Sequence, residues 1–387
     1  MKISKVETVV VGSQSPGTGR MADRNFIFVR VHTDGGLIGL GEATLEGHTS
    51  AVLGMLADLE ALVVDEDPRQ VVRLTQVMMR QKFWQGGVIK GSAVAGIELA
   101  LWDILGKSLG VPVHQLVGGA CRDRIRYYQN GWWGKTVAPE GYAERAAANV
   151  EQGHRALKFS LPLASWPMYD RELVGTIEAI ATAIRDVVGP DVMLMFDGHG
   201  RYDPDLSLLI ARVLEDHDFA FFEEPVQPHR VDDTARVARG SRIPIAAGER
   251  LERKEQFHEF LKADAVSVVQ PDLAHCHGFG EALQIASLAD TYSRWLAPHG
   301  PMSPVLTAIS THLDAVAPNF LIQERLEMAP WCQELITEPL VMADGFLEVP
   351  HGPGWGVELD LDVCAAHPAF TSELPRLFRE DGSISDW

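Results

Sequence analysis

Six carboxylate and imidazole side chains recur in this sequence at nearly even spacing, each at the end of a short apolar run. Consecutive members lie 23 to 27 residues apart, which is room for one strand, one helix and two short loops. In a barrel of alternating strands and helices, the carboxyl ends of all strands meet at one mouth. A single Asp at such a position is usually a turn former, but six in register predict a functional site. The six are Asp197, Glu223, Glu249, Asp272, His299 and Glu324.

The first three of these residues are carboxylates on successive predicted strands. Three converging carboxylates repel one another unless a cation lies between them. Oxygen ligands with no cysteine nearby favour Mg²⁺ over zinc. We therefore predict a magnesium site formed by Asp197, Glu249 and one of Glu223 and Glu224, because adjacent strand residues point to opposite faces. The alternative is a set of surface carboxylates paired with Lys or Arg.

Two histidines supply candidate acid–base chemistry. His299 is the candidate base, and Asp272, one strand earlier, could hold its imidazole tautomer and raise its basicity. His199 follows Asp197 by two residues, so both side chains point the same way on a strand or tight turn. Its imidazolium could protonate a departing hydroxyl. A base and an acid at one mouth suit β-elimination of water, whereas the alternative is a structural or hydroxyl-binding role for His199 and a core role for His299.

Four further side chains are candidates for substrate contact. Lys158, near the end of the second predicted strand, would bind a substrate carboxylate or neutralise its anion, or else be a structural lysine. Glu324 would hydrogen-bond a carboxylate oxygen if protonated, or be structural. Trp132 would line the pocket or pack in the core. Glu46 and a predicted mobile loop, Ser13–Met21, would determine which substrate is accepted.

The cysteines and one histidine pair give no metal site. His275-Cys276-His277 resembles a soft-metal cluster, but Gly278 and Gly280 follow it and no second cluster accompanies it. The four cysteines of the chain are scattered and form no CxxC pair. They predict reduced, structural thiols.

The overall charge argues against two classes of partner. The formal net charge is −19, which disfavours binding to nucleic acid or to an anionic membrane surface. It would also repel an anionic substrate, so a bound divalent cation and local basic residues would have to reverse the field inside the site. No apolar run approaches the roughly 18 residues that span a bilayer. The N-terminus lacks the apolar core of a secretion signal, so we expect a cytoplasmic protein.

The elements that must position these residues fall into two patterns. The first is strand-rich and then helical: Asn25–Thr33 and Leu37–Glu42 flank an Asp-Gly-Gly turn and predict a hairpin, and Ser92–Leu109 predicts a helix with Ser92 as its N-cap and Gly110 at its end. The second, after Gly119, alternates short apolar runs with amphipathic segments and predicts a (β/α)8-type barrel, with an open doubly wound sheet as the alternative. Its eight runs cover 124–128, 156–161, 192–197, 219–224, 243–249, 265–272, 295–299 and 320–324. From about Val341 the chain is turn-rich and predicts a β-extension.

Together these segments resemble the enolase superfamily, mandelate racemase subgroup, over nearly the whole chain. The resemblance lies in FDGHG (196–200), FFEEP (221–225), AAGER (246–250), QPDLAH (270–275), APHGP (297–301), LIQE (321–324), GLGEATLEG (39–47) and AGIELALWDILGKSLGVPVHQLVGG (95–119). Within the subgroup the sequence is most similar to the D-galactonate dehydratase family, which has the Asp-x-His seen at Asp197 and His199 and a tail like DGSISDW (381–387).

The resemblance implies a fold and a set of roles. It implies an α/β fold, a modified (β/α)7β barrel at 125–345, and an α+β capping domain at 1–124 that 346–387 completes. It assigns Asp197, Glu223 and Glu249 as Mg²⁺ ligands, Asp272 and His299 as a dyad, and Glu324 as the carboxyl group of strand eight. Family members are commonly homo-oligomers.

The implied activity is dehydration of an acid sugar. The α-proton of an aldonate or aldarate would be removed, Mg²⁺ would stabilise the enediolate, and loss of water would give a 2-keto-3-deoxy sugar acid. Two features depart from known patterns: Ser13–Met21 is longer than in D-galactonate dehydratases, and Ser160 replaces the second lysine of the Lys-x-Lys pair of mandelate racemase. The alternatives are a racemase, epimerase or cycloisomerase on the same fold, and a non-catalytic sugar-acid binding protein.

Overall fold

The N-terminal module begins with the predicted hairpin. A computed structural model describes residues 1–13, 24–161, 165–166, 168–371 and 376–386. Strands β1 (Ile3–Ser13), β2 (Arg24–Thr33) and β3 (Ile38–Glu42) form an antiparallel sheet in that order. The predicted loop Ser13–Met21 lies outside the described residues except for Ser13, which ends β1.

Four helices follow the sheet. They are α1 (Thr49–Val63), α2 (Val71–Arg80), α3 (Val88–Leu109) and α4 (Val113–Leu116). Helix α3 ends where predicted, with Gly110 in the left-handed conformation at φ 69°. Its predicted N-cap was wrong, because the helix begins one turn earlier, after Gly87. Ser92 is therefore an interior residue of α3, and its side chain contacts His275 instead of capping the helix.

Eight parallel strands form the barrel and confirm the predicted alternation. They are β4 (Arg124–Asn130), β5 (Ala156–Ser160), β6 (Met193–Asp197), β7 (Phe219–Glu223), β8 (Ile245–Ala247), β9 (Val268–Val269), β10 (Trp295–Leu296) and β11 (Gln323–Leu326). Strands β4 to β10 pair in sequence order, and β11 pairs with β4. A parallel bridge between Leu296 and Phe320 closes the ring.

Seven helices of the described chain connect these strands, one in each interval. They are α5 (Pro139–Glu151), α6 (Arg171–Val188), α7 (Pro204–Asp216), α8 (Val231–Gly240), α9 (Lys254–Lys262), α10 (Phe279–Thr291) and α11 (Pro304–Val316). A 3-10 turn at Pro330–Leu335 follows β11. The architecture is thus the (β/α)7β form of the barrel.

The barrel interior explains why the strand-end residues share one mouth. One side chain from each strand packs in a buried layer made of Tyr128, Ala156, Met195, Phe221, Ala246, Val268, Ala297 and Ile322. Because side chains alternate along a strand, a residue two positions later points into the same interior, one layer higher. On five strands that residue is a charged or titratable candidate, namely Lys158, Asp197, Glu223, His299 and Glu324.

The C-terminal segment contacts both modules. Strands β12 (Met342–Ala343) and β13 (Phe346–Glu348) form a hairpin, and β13 pairs antiparallel with β4 of the barrel. The chain then returns to the N-terminal module, where the buried Trp355 indole donates hydrogen bonds to the carbonyls of Leu40 and Leu99. A last helix, α12 (Leu361–Ala366), follows. The predicted division at 124 and 346 stays a prediction.

A search of the described residues found no helix with both the length and the apolar character needed to cross a membrane.

Candidate active site

Three carboxylates from successive strands meet at the barrel mouth. Asp197 and Glu223 end β6 and β7, Glu249 follows β8, and one oxygen from each lies within 4.8 Å of the others. Glu223 ends β7 and belongs to this cluster. Glu224 pairs with Arg250, whose Nε lies 3.1 Å from Glu224 Oε1, and it also contacts Glu249.

Burial and mutual repulsion together raise the pKa of two members of this carboxylate cluster. Burial, followed by the charge of Asp197, raises the pKa of Glu223 well above its usual range. Burial, followed by the charge of Glu224, raises the pKa of Glu249 to about 8. Glu223 Oε1 is buried and has no hydrogen-bond partner in the described part of the chain. An all-oxygen donor set with an unsatisfied buried oxygen fits a hard divalent cation.

Lys158 lies between this cluster and the carboxylate of strand β11. Its Nζ is 2.7 Å from Glu223 Oε2, 3.0 Å from Glu324 Oε1 and 3.2 Å from Asp197 Oδ2. Although burial acts to lower it, the charges of Glu223 and Glu324 raise the pKa of Lys158 well above its usual range. The side chain is only 1% exposed. The ammonium group therefore compensates buried negative charge and does not extend to solvent.

His299 and Asp272 form the predicted pair. Nδ1 of His299 lies 2.7 Å from Asp272 Oδ2, and Nε2 lies 3.2 Å from Glu249 Oε2. A carboxylate only accepts hydrogen bonds, so Nδ1 carries a proton and Nε2 faces the carboxylate cluster. Burial acts to lower the pKa of His299, but the charges of Glu249 and Glu324 raise it well above its usual range.

His199 contacts Asp197 of the carboxylate cluster from a tight turn after β6. Its φ is 49°, and its backbone N–H donates to Asp197 Oδ1 at 2.9 Å. Nε2 lies 3.2 Å from Asp197 Oδ2. Arg201 Nη2 lies 2.9 Å from Nδ1. Because a guanidinium group only donates, Nδ1 accepts and the ring proton is on Nε2.

Glu324 is held as a hydrogen-bond acceptor. Its Oε1 accepts from Asn130 Nδ2 at 2.6 Å, and its Oε2 accepts from the Gly300 N–H at 3.1 Å. Burial acts to raise the pKa of Glu324, but the charges of Lys158 and His299 lower it. The expectation of a protonated Glu324 that donates to substrate therefore finds no support in these contacts.

The two remaining predicted substrate contacts, Trp132 and Glu46, differ in exposure. Trp132 is only 1% exposed, and its indole donates to the carbonyl of Lys158 at 2.8 Å. It therefore packs behind β5 and does not line the pocket, which corrects that expectation. Glu46 lies at the surface, where Oε1 is 2.7 Å from Arg24 Nη1. Arg24 in turn donates to the carbonyl of Pro301, two residues after His299.

The sequence interpretation missed two polar residues of the site. Asn130 follows Tyr128 of the interior layer by two residues, the same offset as the strand-end acids, and this signal could have identified it. Arg201 lies beyond the strand, and only its spacing of two from His199 hints at contact.

Replacing Lys158 tests its role in charge compensation. We expect Lys158→Met to lower the free energy of unfolding by about 3–5 kcal/mol in chelator at pH 7, because it leaves buried carboxylates uncompensated. The control is Lys254→Met, which removes a partly exposed ion pair with Glu281 (3.3 Å) and should cost less than about 1 kcal/mol. Equal losses in urea unfolding of the two variants would contradict this role.

Comparisons with known proteins agree with this geometry. Residues 5–118 match the family described as mandelate racemase / muconate lactonizing enzyme, N-terminal domain. Residues 141–363 match the family described as enolase C-terminal domain-like. The chain is 35% identical over 380 residues to a D-galactonate dehydratase of Ralstonia nicotianae, covering 94% of this chain and 96% of the relative.

Two solved structures extend the comparison to the fold. A mandelate racemase/muconate lactonizing enzyme from Jannaschia sp. CCS1 superposes with a TM-score of 0.88 at 32% identity, covering 96% of this chain and 98% of that one. An enolase from Agrobacterium radiobacter with bound Na and L-malate gives a TM-score of 0.88 at 28% identity over 100% of both chains. The chain therefore belongs to the enolase superfamily of enzymes, with the N-terminal domain of the mandelate racemase / muconate lactonizing enzymes.

Proposed function

We propose that this enzyme is a Mg²⁺-dependent dehydratase of an aldonate or aldarate, similar in activity to D-galactonate dehydratase. The observation that carries the proposal is that two imidazoles contact two different carboxylates of one cluster. His299 Nε2 is 3.2 Å from Glu249, and His199 Nε2 is 3.2 Å from Asp197. The full-length relatives named D-galactonate dehydratase support the same activity.

Asp197, Glu223 and Glu249 would hold the metal ion. When bound, Mg²⁺ supplies Lewis-acid stabilisation of the negative charge that develops on the substrate carboxylate. Lys158 adds a fixed positive charge beside the same oxygens. This local positive charge offsets the repulsion that a chain of net charge −19 exerts on an anionic substrate.

We assign proton abstraction to His299. Its Nδ1–H donates to Asp272, so Nε2 is the nitrogen directed into the mouth. A cation held by Glu249 would offset the charge that favours a protonated ring, and Nε2 could then take the proton from C2 of the substrate. The resulting imidazolium is stabilised by Asp272 on one side and by Glu249 and Glu324 on the other. The electron pair of the C2–H bond moves toward the substrate carboxylate.

We assign to His199 the role of the acid that protonates the departing hydroxyl group. Arg201 donates to Nδ1, so the proton lies on Nε2, the nitrogen that faces the carboxylate cluster. Transfer of this proton to the C3 hydroxyl lets the C3–O bond break with release of water. The enol that forms between C2 and C3 tautomerises to a 2-keto-3-deoxy acid. Glu46, at the surface beside Arg24, remains the candidate for contact with the distal end of the sugar.

A panel of aldonic and aldaric acids tests the activity. With Mg²⁺, we expect at least one stereoisomer to yield a 2-keto acid that semicarbazide detects, and we expect chelator to abolish this product. Deuterium incorporation at C2 without water loss would instead indicate racemisation or epimerisation, which two histidines would also permit. Binding without exchange of the α-proton would indicate a non-catalytic protein.

Replacing His299 tests the assignment of the base. We expect His299→Asn to lower kcat by about 10²–10⁴-fold, the range for loss of a general base, with substrate binding retained. Exchange of the C2 proton in deuterium oxide, followed by NMR, should fall in parallel. His229→Asn, an exposed histidine after β7, is the control and should leave both rates unchanged. Undiminished exchange in His299→Asn would refute the assignment.

A further inference from the structure

The turn that carries Asp272 also carries a buried histidine that the proposed chemistry does not use. The backbone carbonyl of Asp272 accepts hydrogen bonds from the N–H groups of His275 (3.0 Å) and Cys276 (2.8 Å). Asp272 Oδ1 accepts from the Ala274 N–H at 2.7 Å. The chain therefore makes one helical turn here, which folds the ring of His275 back toward the Asp272 side chain.

The ring of His275 joins Asp272 to the N-terminal module. Its Nε2 lies 3.7 Å from Asp272 Oδ2, within ion-pair range, and this is the same oxygen that accepts from His299. Its Nδ1 lies 3.0 Å from the hydroxyl of Ser92 on α3. His275 is 6% exposed and Ser92 is fully buried, so water does not compete for either contact.

From this geometry we propose that His275 is a positioning residue for the Asp272–His299 pair, and that Ser92 sets the tautomer of His275. The proposal rests on the proposed role of His299 as the base. Through these two contacts, helix α3 of the N-terminal module helps to orient the base in the barrel.

The hydrogen-bonding capacities of the groups determine the tautomer. Asp272 as a carboxylate only accepts, so a favourable contact requires a proton on Nε2 of His275. The Ser92 hydroxyl can then donate to Nδ1, so both ring nitrogens of His275 have a partner. The reverse tautomer would direct a nitrogen lone pair at a buried carboxylate, which is repulsive.

The packing between the modules keeps this chain of contacts short. A Cβ atom added at Gly91 would lie 2.7 Å from the carbonyl oxygen of His275, so helix α3 approaches the turn at backbone distance. The neighbouring Ser92 thereby reaches the imidazole directly. In the described part of the chain the Asp272 carboxylate also accepts from the Ala274 N–H and from His299, at 2.7 Å each. The contact with His275 further restricts the position of Oδ2, and with it the orientation of His299.

Three variants distinguish a positioning role of His275 from a purely structural role. His275→Leu removes both ring nitrogens, and His275→Gln retains an N–H donor near the position of Nε2. The control, His277→Asn, alters a buried histidine in the same turn whose ring contacts the carbonyl of Glu252 (3.0 Å) and not Asp272. We expect His275→Leu to lower kcat by about 10–100-fold, the usual effect of removing a group that orients a reacting residue. KM should stay within about threefold, His275→Gln should recover most of kcat, and His277→Asn should match the wild type.

A second readout does not depend on turnover. The Nδ1–H proton of His299 gives an imidazole NMR resonance, assigned by its absence in His299→Asn. We expect His275→Leu to shift or broaden this resonance, and His275→Gln to retain it. Ser92→Ala should change the resonance in the same direction. This variant replaces His275→Leu in the test if His275→Leu does not fold. An unchanged resonance in His275→Leu or in Ser92→Ala overturns the proposal. Failure of the wild type to act on any acid sugar would refute the proposed function, while the resonance would still decide the positioning role.

Discussion

The confinement of three carboxylates at the mouth of a barrel is the constraint on which the rest of this site depends. Asp197, Glu223 and Glu249 converge because each comes from a successive parallel strand and points inward. Burial and repulsion together make their simultaneous ionisation unfavourable unless positive charge is supplied. Lys158 supplies part of it from within the chain, and a divalent cation would supply the remainder. The same positive charge is what an acid substrate requires.

The main features of the site were predictable because a strand repeats every two residues and a βα unit has a nearly fixed length. From these regularities the sequence predicts that Asp197, Glu223, His299 and Glu324 share one mouth, and the structure places them there. The choice between Glu223 and Glu224 was not predictable from spacing, since a shift of one residue reverses the face. In the structure Glu223 lies with Asp197 and Glu249, and Glu224 pairs with Arg250.

Other features depend on tertiary contacts that no local pattern reveals. Helix α3 begins at Val88 and not after Ser92, and the serine hydroxyl contacts His275, which is 183 residues away. Trp132 packs behind β5, where its indole N–H donates a hydrogen bond to the carbonyl of Lys158. Arg201 controls the proton position on His199 from a loop whose course the sequence did not indicate. Such long-range contacts also link Ser92 of the N-terminal module to the turn that carries Asp272 in the barrel.

The central claim is that the buried carboxylate cluster holds a divalent cation, and calorimetric titration with Mg²⁺ tests it most directly. The wild-type chain should bind one Mg²⁺ per site, and Glu223→Gln should weaken that binding by at least about tenfold, since a neutral amide replaces an anionic ligand. Glu224→Gln, which alters the neighbouring carboxylate that pairs with Arg250, should have a smaller effect. Equal affinities in the wild type and Glu223→Gln, or no binding in either, would contradict the account.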